Sequence, residues 1–254
     1  MTILKNLEKT AGTEKVTILV GPDEVPFRVH KNVICEASDY FDAAFKSGFK
    51  EADEGIIRMS EENPLVFRKL LAWLYNSKLP NGFGTSCQRL LYDIYIMAEK
   101  LCMEELANMT IDRIRINQHD ILTHGGGPER HFKHVKHIYD NTGENSPLRT
   151  LLVQMMSLDL KYNGPRIRDG KSTLSGEVLE ALWEVSKDHK EFFQSFFTEY
   201  TRKSQRDDYQ FRPATVKIEF CYFHKHRRGG VCYLPTFEEY LHSSPFSTSR
   251  SSRQ

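Results

Sequence analysis

The sequence predicts an α+β protein: a small sheet flanked by helices, followed by an α-helical region that ends in a short β-hairpin. Three observations carry this expectation. Residues 16–29 alternate apolar and polar side chains with the period of a strand. Residues 64–114 carry apolar stripes at helical spacing, and residues 174–200 hold a dense apolar run before short alternating stretches return. A chain of 254 residues is long enough for one large domain or two small ones, each with its own core.

Val16, Ile18 and Val20 alternate with Thr17 and Leu19. Gly21-Pro22-Asp23-Glu24 is turn chemistry, and Val25, Phe27 and Val29 then alternate with Pro26, Arg28 and His30, which makes a hairpin. A short apolar turn at Val33 and Ile34 leads to a helix that Ser38-Asp39 can cap, carrying Tyr40, Phe41, Ala44 and Phe45. Gly48 ends that helix, and residues 55–59 read as a third short strand. Asn63 caps the next helix, and Pro64 opens it because the first helical N–H has no partner to lose. Its stripe is Val66, Phe67, Leu70, Leu71, Leu74 and Tyr75. Beyond a loop at 80–84, two amphipathic helices follow, one through Leu90, Leu91, Ile94, Met97 and Leu101, the other through Met103, Leu106, Thr110, Ile111 and Ile114.

These elements define a first domain at residues 12–117, and the stretch 118–128, with its three consecutive glycines, reads as a linker. The second region, 129–240, is expected to hold a helix over 129–141 and another opened by Ser146-Pro147. After a polar loop at 162–172, one long helix over 174–200 presents Val178, Leu182, Trp183, Phe192, Phe193, Phe196 and Phe197. A terminal hairpin joins 216–220 to 231–234, and the Ser/Arg-rich tail 241–254 is expected to be disordered.

Lys and Arg number 35 against 34 Asp and Glu, so no global basic field attracts nucleic acid or anionic lipid. No stretch is long and apolar enough to serve as a signal peptide or membrane span. The five cysteines are scattered, and Cys35, Cys87 and Cys102 sit in helix-like apolar patterns as small hydrophobes. The expected compartment is the cytoplasm or the nucleus. No Ser-His-Asp elbow, paired-carboxylate motif or Cys-His nucleophile signature stands out, so no enzyme is expected.

Taken in order, strand–strand–helix–helix–strand–helix–helix–helix over residues 16–115 resembles the BTB/POZ domain. The blocks that carry the match are Val16-Thr17-Ile18-Leu19-Val20-Gly21, Phe27-Arg28-Val29-His30-Lys31, Ser38-Asp39-Tyr40-Phe41, Ser47-Gly48-Phe49-Lys50-Glu51-Ala52, and Phe67 with Leu70, Leu71, Leu74 and Tyr75. Residues 138–153 resemble, more loosely, the helical C-terminal part of fungal BTB proteins. The resemblance implies a non-catalytic scaffold whose members self-associate, recruit partners or act as substrate adaptors for cullin-type ubiquitin ligases. Members that bind the cullin often carry a hydrophobic-x-Glu motif after the second helix, and Phe49-Lys50-Glu51 has that form at that place. The same three residues also read as a core edge with a solvated carboxylate. Many members form swapped homodimers through an acid facing a base. Here Lys15 stands at the acid position and Lys31 at the basic one, a like-charge pair that argues against the swap. Other self-association stays open.

Four further clusters call for a reading. Cys221, His224, His226 and Cys232 are zinc-ligand types around a Gly-Gly return, a candidate structural zinc site, and equally a polar loop with one packed cysteine. His131, His134 and His137 recur every third residue among lysines, which favours a solvated helix face. Residues 164–172 imitate a phosphate-binding loop, but their spacing is one residue too long and Pro165 removes a needed N–H. Residues 202–228 are basic with interleaved aromatics, so the alternative function is a regulator contacting nucleic acid through the C-terminal hairpin.

Overall fold

The structure, a computed structural model, describes residues 12–46, 50–80, 85–123, 129–163, 176–201 and 222–226. Three strands form one sheet in the order β2-β1-β3. β1 (Lys15–Val20) pairs antiparallel with β2 (Val25–His30), with Ile18 opposite Phe27, and parallel with β3 (Ile56–Met59) on its other edge. The alternating residues of β1 explain its central place: Val16, Ile18 and Val20 are fully buried, whereas Thr17 and Leu19 are half-covered. On β2 only Val29 is fully buried; Phe27 is half-buried and meets Phe67 edge-on, ring centroids 5.1 Å apart. Gly21 opens the turn with φ 81°, and a Cβ there would lie 2.9 Å from Pro64 Cγ. Both the backbone angle and the close approach exclude a side chain.

A parallel strand pair needs a crossover, and three short helices supply it. α1 (Lys31–Ala37) and α2 (Asp39–Lys46) are hinged at Ser38, whose Oγ accepts from the Phe41 N–H at 3.2 Å. The same hydroxyl donates to the Leu101 carbonyl at 2.5 Å, fastening this corner to the far end of the domain. α3 (Lys50–Glu54) lies just before β3, where the sequence pattern marked no helix. Its five residues are too few for a periodic stripe, and none of them is buried. α4 (Pro64–Asn76) starts as expected, with Asn63 Oδ1 accepting from the Leu65 N–H at 2.8 Å.

α5 (Thr85–Lys100) and α6 (Glu104–Thr123) complete the first half. Cys102 does not sit in a helical stripe: it is exposed at the connection between them, with φ 51°. α6 also runs to Thr123, so residues 118–123 are helix rather than linker. Nothing in that segment stops a helix; the glycines that would do so come at 125–127.

α7 (Glu129–Asn141) and α8 (Pro147–Asn163) follow where the sequence placed them. The single helix expected over 174–200 is instead two, α9 (Gly176–Asp188) and α10 (Lys190–Thr201), separated at His189. Packing explains the break, because α9 lies against α7 while α10 lies against α8. His189 holds the corner, with Nε2 2.8 Å from Asp140 Oδ1 and Nδ1 3.3 Å from Glu191 Oε1. The apolar face divides as well. Val185, Phe192 and Phe196 are buried, whereas Trp183, Phe193 and Phe197 are more than half exposed. The expected strands at 216–220 and 231–234, and the tail 241–254, lie outside the described residues.

Arg149 joins three of these helices. Its Nε donates to Thr142 Oγ1 at 3.0 Å, its Nη2 donates to the Tyr139 carbonyl at 2.7 Å and to that of Thr142, and its Nη1 lies 3.0 Å from Glu191 Oε1. The guanidinium stacks 4.3 Å from the Tyr139 ring centroid. A lysine keeps the charge but not the fork. Arg149→Lys is therefore expected to lower unfolding free energy by about 2–3 kcal/mol, several hydrogen bonds at about 1 kcal/mol each. Urea denaturation checks this as a lower midpoint at an unchanged slope.

Candidate protein-binding surfaces

Of the Phe49-Lys50-Glu51 motif, Phe49 lies outside the described residues. Lys50 and Glu51 open α3, and both are exposed. Lys50 Nζ lies 3.4 Å from Glu54 Oε1 one turn on, which turns the lysine along its own helix. The Glu51 carbonyl accepts from the Gly55 N–H at 3.0 Å, so the backbone at this acid is fixed while its side chain faces solvent. A fixed backbone with an exposed carboxylate suits orientation of a partner.

Within one chain, Lys15 and Lys31 do not face each other as a like-charge pair. Lys15 is opposite His30, and Lys31 Nζ pairs with Glu14 Oε1 at 2.8 Å. The acid is present one position earlier than the resemblance suggested, so no like-charge pair forms there. Glu14 is largely exposed, and such a pair is worth at most about 1 kcal/mol.

Of the histidine triplet, His134 and His137 face another helix rather than forming a solvated face. His134 packs on Tyr92 with ring centroids 5.4 Å apart, and His137 Nε2 lies 2.7 Å from Asp93 Oδ1. An ionised carboxylate only accepts, so Nε2 is the donor. Arg89 Nε reaches both Asp93 oxygens, at 3.1 and 3.2 Å. Burial pushes the Asp93 carboxyl up, but the His137 hydrogen bond and the Arg89 guanidinium outweigh it and hold it below the usual carboxylate range. The His131 side chain lies outside the described residues. Three-residue spacing alone does not tell a solvated stripe from one that meets another helix.

Of the candidate zinc ligands, Cys221 and Cys232 lie outside the described residues. The His224 and His226 rings are 5.7 Å apart. His224 is fully covered, with Nε2 3.0 Å from Asp112 Oδ2. Among the described residues, no three His, Cys, Asp or Glu side chains are grouped to hold a metal ion. Residues 164–172 lie outside the described residues, and so does the basic stretch apart from 222–226, where Lys225 Nζ pairs with Glu99 Oε1 at 2.6 Å. Nothing in the sequence tied Asn108 or Asp112 of α6 to this segment: Asn108 reads only as the start of a glycosylation sequon, Asn108-Met109-Thr110, set aside for the expected compartment, and Asp112 is a single acid beside an apolar stripe. Among the described residues no helix is long and apolar enough to cross a membrane.

Comparison with known proteins bears on the first half. The family model for the BTB/POZ domain matches residues 4–117, and this part of the chain is a BTB/POZ domain. Mouse Kelch-like protein 9 is 38% identical over 64 residues, 25% of this chain and 10% of that protein. Human Kelch-like protein 13 is 36% identical over 64 residues, with the same shares of the two chains. Zebrafish Kelch-like ECH-associated protein 1A is 31% identical over 93 residues, 37% of this chain and 15% of that protein. The matched stretch thus spans 10–15% of these relatives' length.

The Asp93 site yields a pH-dependent expectation. A carboxyl whose folded value is lowered stabilises above its unfolded value of about 3.9, and that contribution is lost as pH falls through the folded value. Asp93→Asn should cost about 1–2 kcal/mol at pH 7. Urea denaturation should show the difference shrinking as pH falls below the usual carboxylate range and the wild-type carboxyl protonates. A gap that stays constant with pH would assign the loss to packing instead.

Proposed function

We propose that this chain is a non-catalytic adaptor whose BTB/POZ domain binds protein partners, and that one partner is the scaffold of a cullin-type ubiquitin ligase. The observation that carries the reading is the BTB/POZ match over residues 4–117, a protein-interaction module, together with the similarity to Kelch-like proteins. The ligase version draws its support from the sequence motif Phe49-Lys50-Glu51, whose Glu51 is exposed in the first turn of α3. Self-association other than the swapped dimer fits this role, and Lys31 is paired with Glu14 within one chain. The nucleic-acid alternative has less behind it: Lys225, the described basic residue of its stretch, is engaged by Glu99.

A structural zinc ion at Cys221, His224, His226 and Cys232 is a separate proposal. It is favoured by the carboxylate of Asp112 on one nitrogen of His224, the arrangement that orients metal-bound imidazoles. Metal analysis of the purified chain should give about one zinc per molecule, removed in Cys221→Ser. A metal-free chain ends that reading.

Purified full-length protein should capture the cullin N-terminal region. Loss of a partner-fixing carboxylate costs on the order of 1.4 kcal/mol, so Glu51→Ala should weaken capture about tenfold. Calorimetric titration tests this. No binding at micromolar concentration ends the ligase version, and leaves the adaptor version to be tested with other partners.

A further inference from the structure

Residues 222–226 lie against the BTB/POZ domain, and the side chains that hold them come from more than a hundred positions earlier in the chain. Asn108 reads the backbone of one residue twice: its Oδ1 accepts from the Lys225 N–H at 3.0 Å, and its Nδ2 donates to the Lys225 carbonyl at 2.8 Å. Asp112 holds His224 Nε2 at 3.0 Å while its other oxygen takes Arg115 Nη1 at 3.1 Å. Phe223 is buried beneath the Arg115 guanidinium, 5.2 Å from its ring centroid, and Lys225 reaches Glu99 on α5. Asn108 and Asp112 are each only 5% exposed, so this is a built polar site rather than a surface contact.

The contact has the form of peptide recognition. Paired hydrogen bonds to one residue's N–H and C=O read the peptide backbone whatever its side chain, while flanking contacts choose the side chains. Here the choices are an aromatic ring under Arg115, an imidazole on a buried carboxylate and an ammonium on Glu99. The segment is also not what joins the two halves, because α7 and α8 are already fastened to α5 through His134, His137 and the backbone at Leu148.

We propose that the groove between α5 and α6 is a recognition site for an aromatic–histidine–lysine segment that leaves a turn at its aromatic residue. The chain's own Phe223-His224-Lys225 is its resident occupant, exchangeable for the same segment supplied by another polypeptide. This extends the protein-binding reading to a second surface, distinct from Glu51. A tethered occupant acts at an effective concentration on the order of millimolar. A trans ligand of about 0.1 mM affinity is therefore weakened roughly tenfold until the tether is released.

The test uses the full chain and a fluorescein-labelled peptide of residues 222–228, followed by anisotropy. The double variant Phe223→Ala with Lys225→Glu should bind it at least about tenfold more tightly than wild type does. Adding Asn108→Ala should abolish that gain. Equal binding by all three proteins, or none up to about 1 mM, overturns the proposal. Hydrogen exchange on Asn108→Ala alone gives an independent reading. Protection should be lost at the Lys225 amide and kept through α7 and α8, whereas loss across every helix would make the groove part of the core and overturn the proposal. Failure here leaves capture of a cullin at Glu51 untouched, and the reverse also holds.

Discussion

The rest of this structure depends on α5 being covered on nearly every side. Leu91, Tyr92, Ile94, Tyr95, Ile96, Met97 and Ala98 are all buried, which is more of the circumference than one stripe can supply. α4 and α6 cover part of that surface, and α7 covers another part. A helix so enclosed must find partners for its polar atoms, since an unpaired buried donor or acceptor costs about 1–3 kcal/mol. The Tyr92 hydroxyl accepts from Gln88 Nε2 at 3.0 Å, the Tyr95 hydroxyl reaches the backbone at Leu148 in the first turn of α8, and Asp93 takes His137. Two of these three answers come from outside the BTB/POZ domain. Burial raises the Tyr95 phenol well above its usual range, as befits a group enclosed by packing.

The consequence is a single core. One continuous cluster of buried apolar residues runs from Val16 in the first strand through Ile138 and Leu152 to Phe223. The helices after residue 128 therefore act less as a separate domain than as a second layer, and Arg149 braces that layer from within. Its guanidinium ties the end of α7, the turn at Thr142 and the start of α10 to α8, which keeps the α7 surface in shape for α5. The break at His189 serves the same end, since two short helices can each lie on a different neighbour.

The two surfaces proposed for partners differ in physical character. Glu51 is a solvated side chain on a short helix, where recognition costs little desolvation and depends on what a partner adds. Asn108 and Asp112 are buried and already hydrogen-bonded, so any incoming segment must replace contacts of equal quality. The first suits capture and the second suits exchange.

The sequence by itself determined the three strands, the caps at Ser38 and Asn63, and most helices. In each case the signal was local: alternation, a side-chain oxygen before a stripe, or apolar residues at helical spacing. It carried the family through separated blocks that a backbone of this topology needs in order. Only the tertiary structure decided where α6 ends, that 174–200 is two helices, and that His134 and His137 face Tyr92 and Asp93 rather than water. The sign of charge at the sheet edge was legible, yet the pairing of Lys31 with Glu14 instead of Lys15 depended on strand register. The groove over Asn108 and Asp112 could not be read at all, because its two sides are separated by over a hundred residues and meet only once α5 has gathered the helices around it.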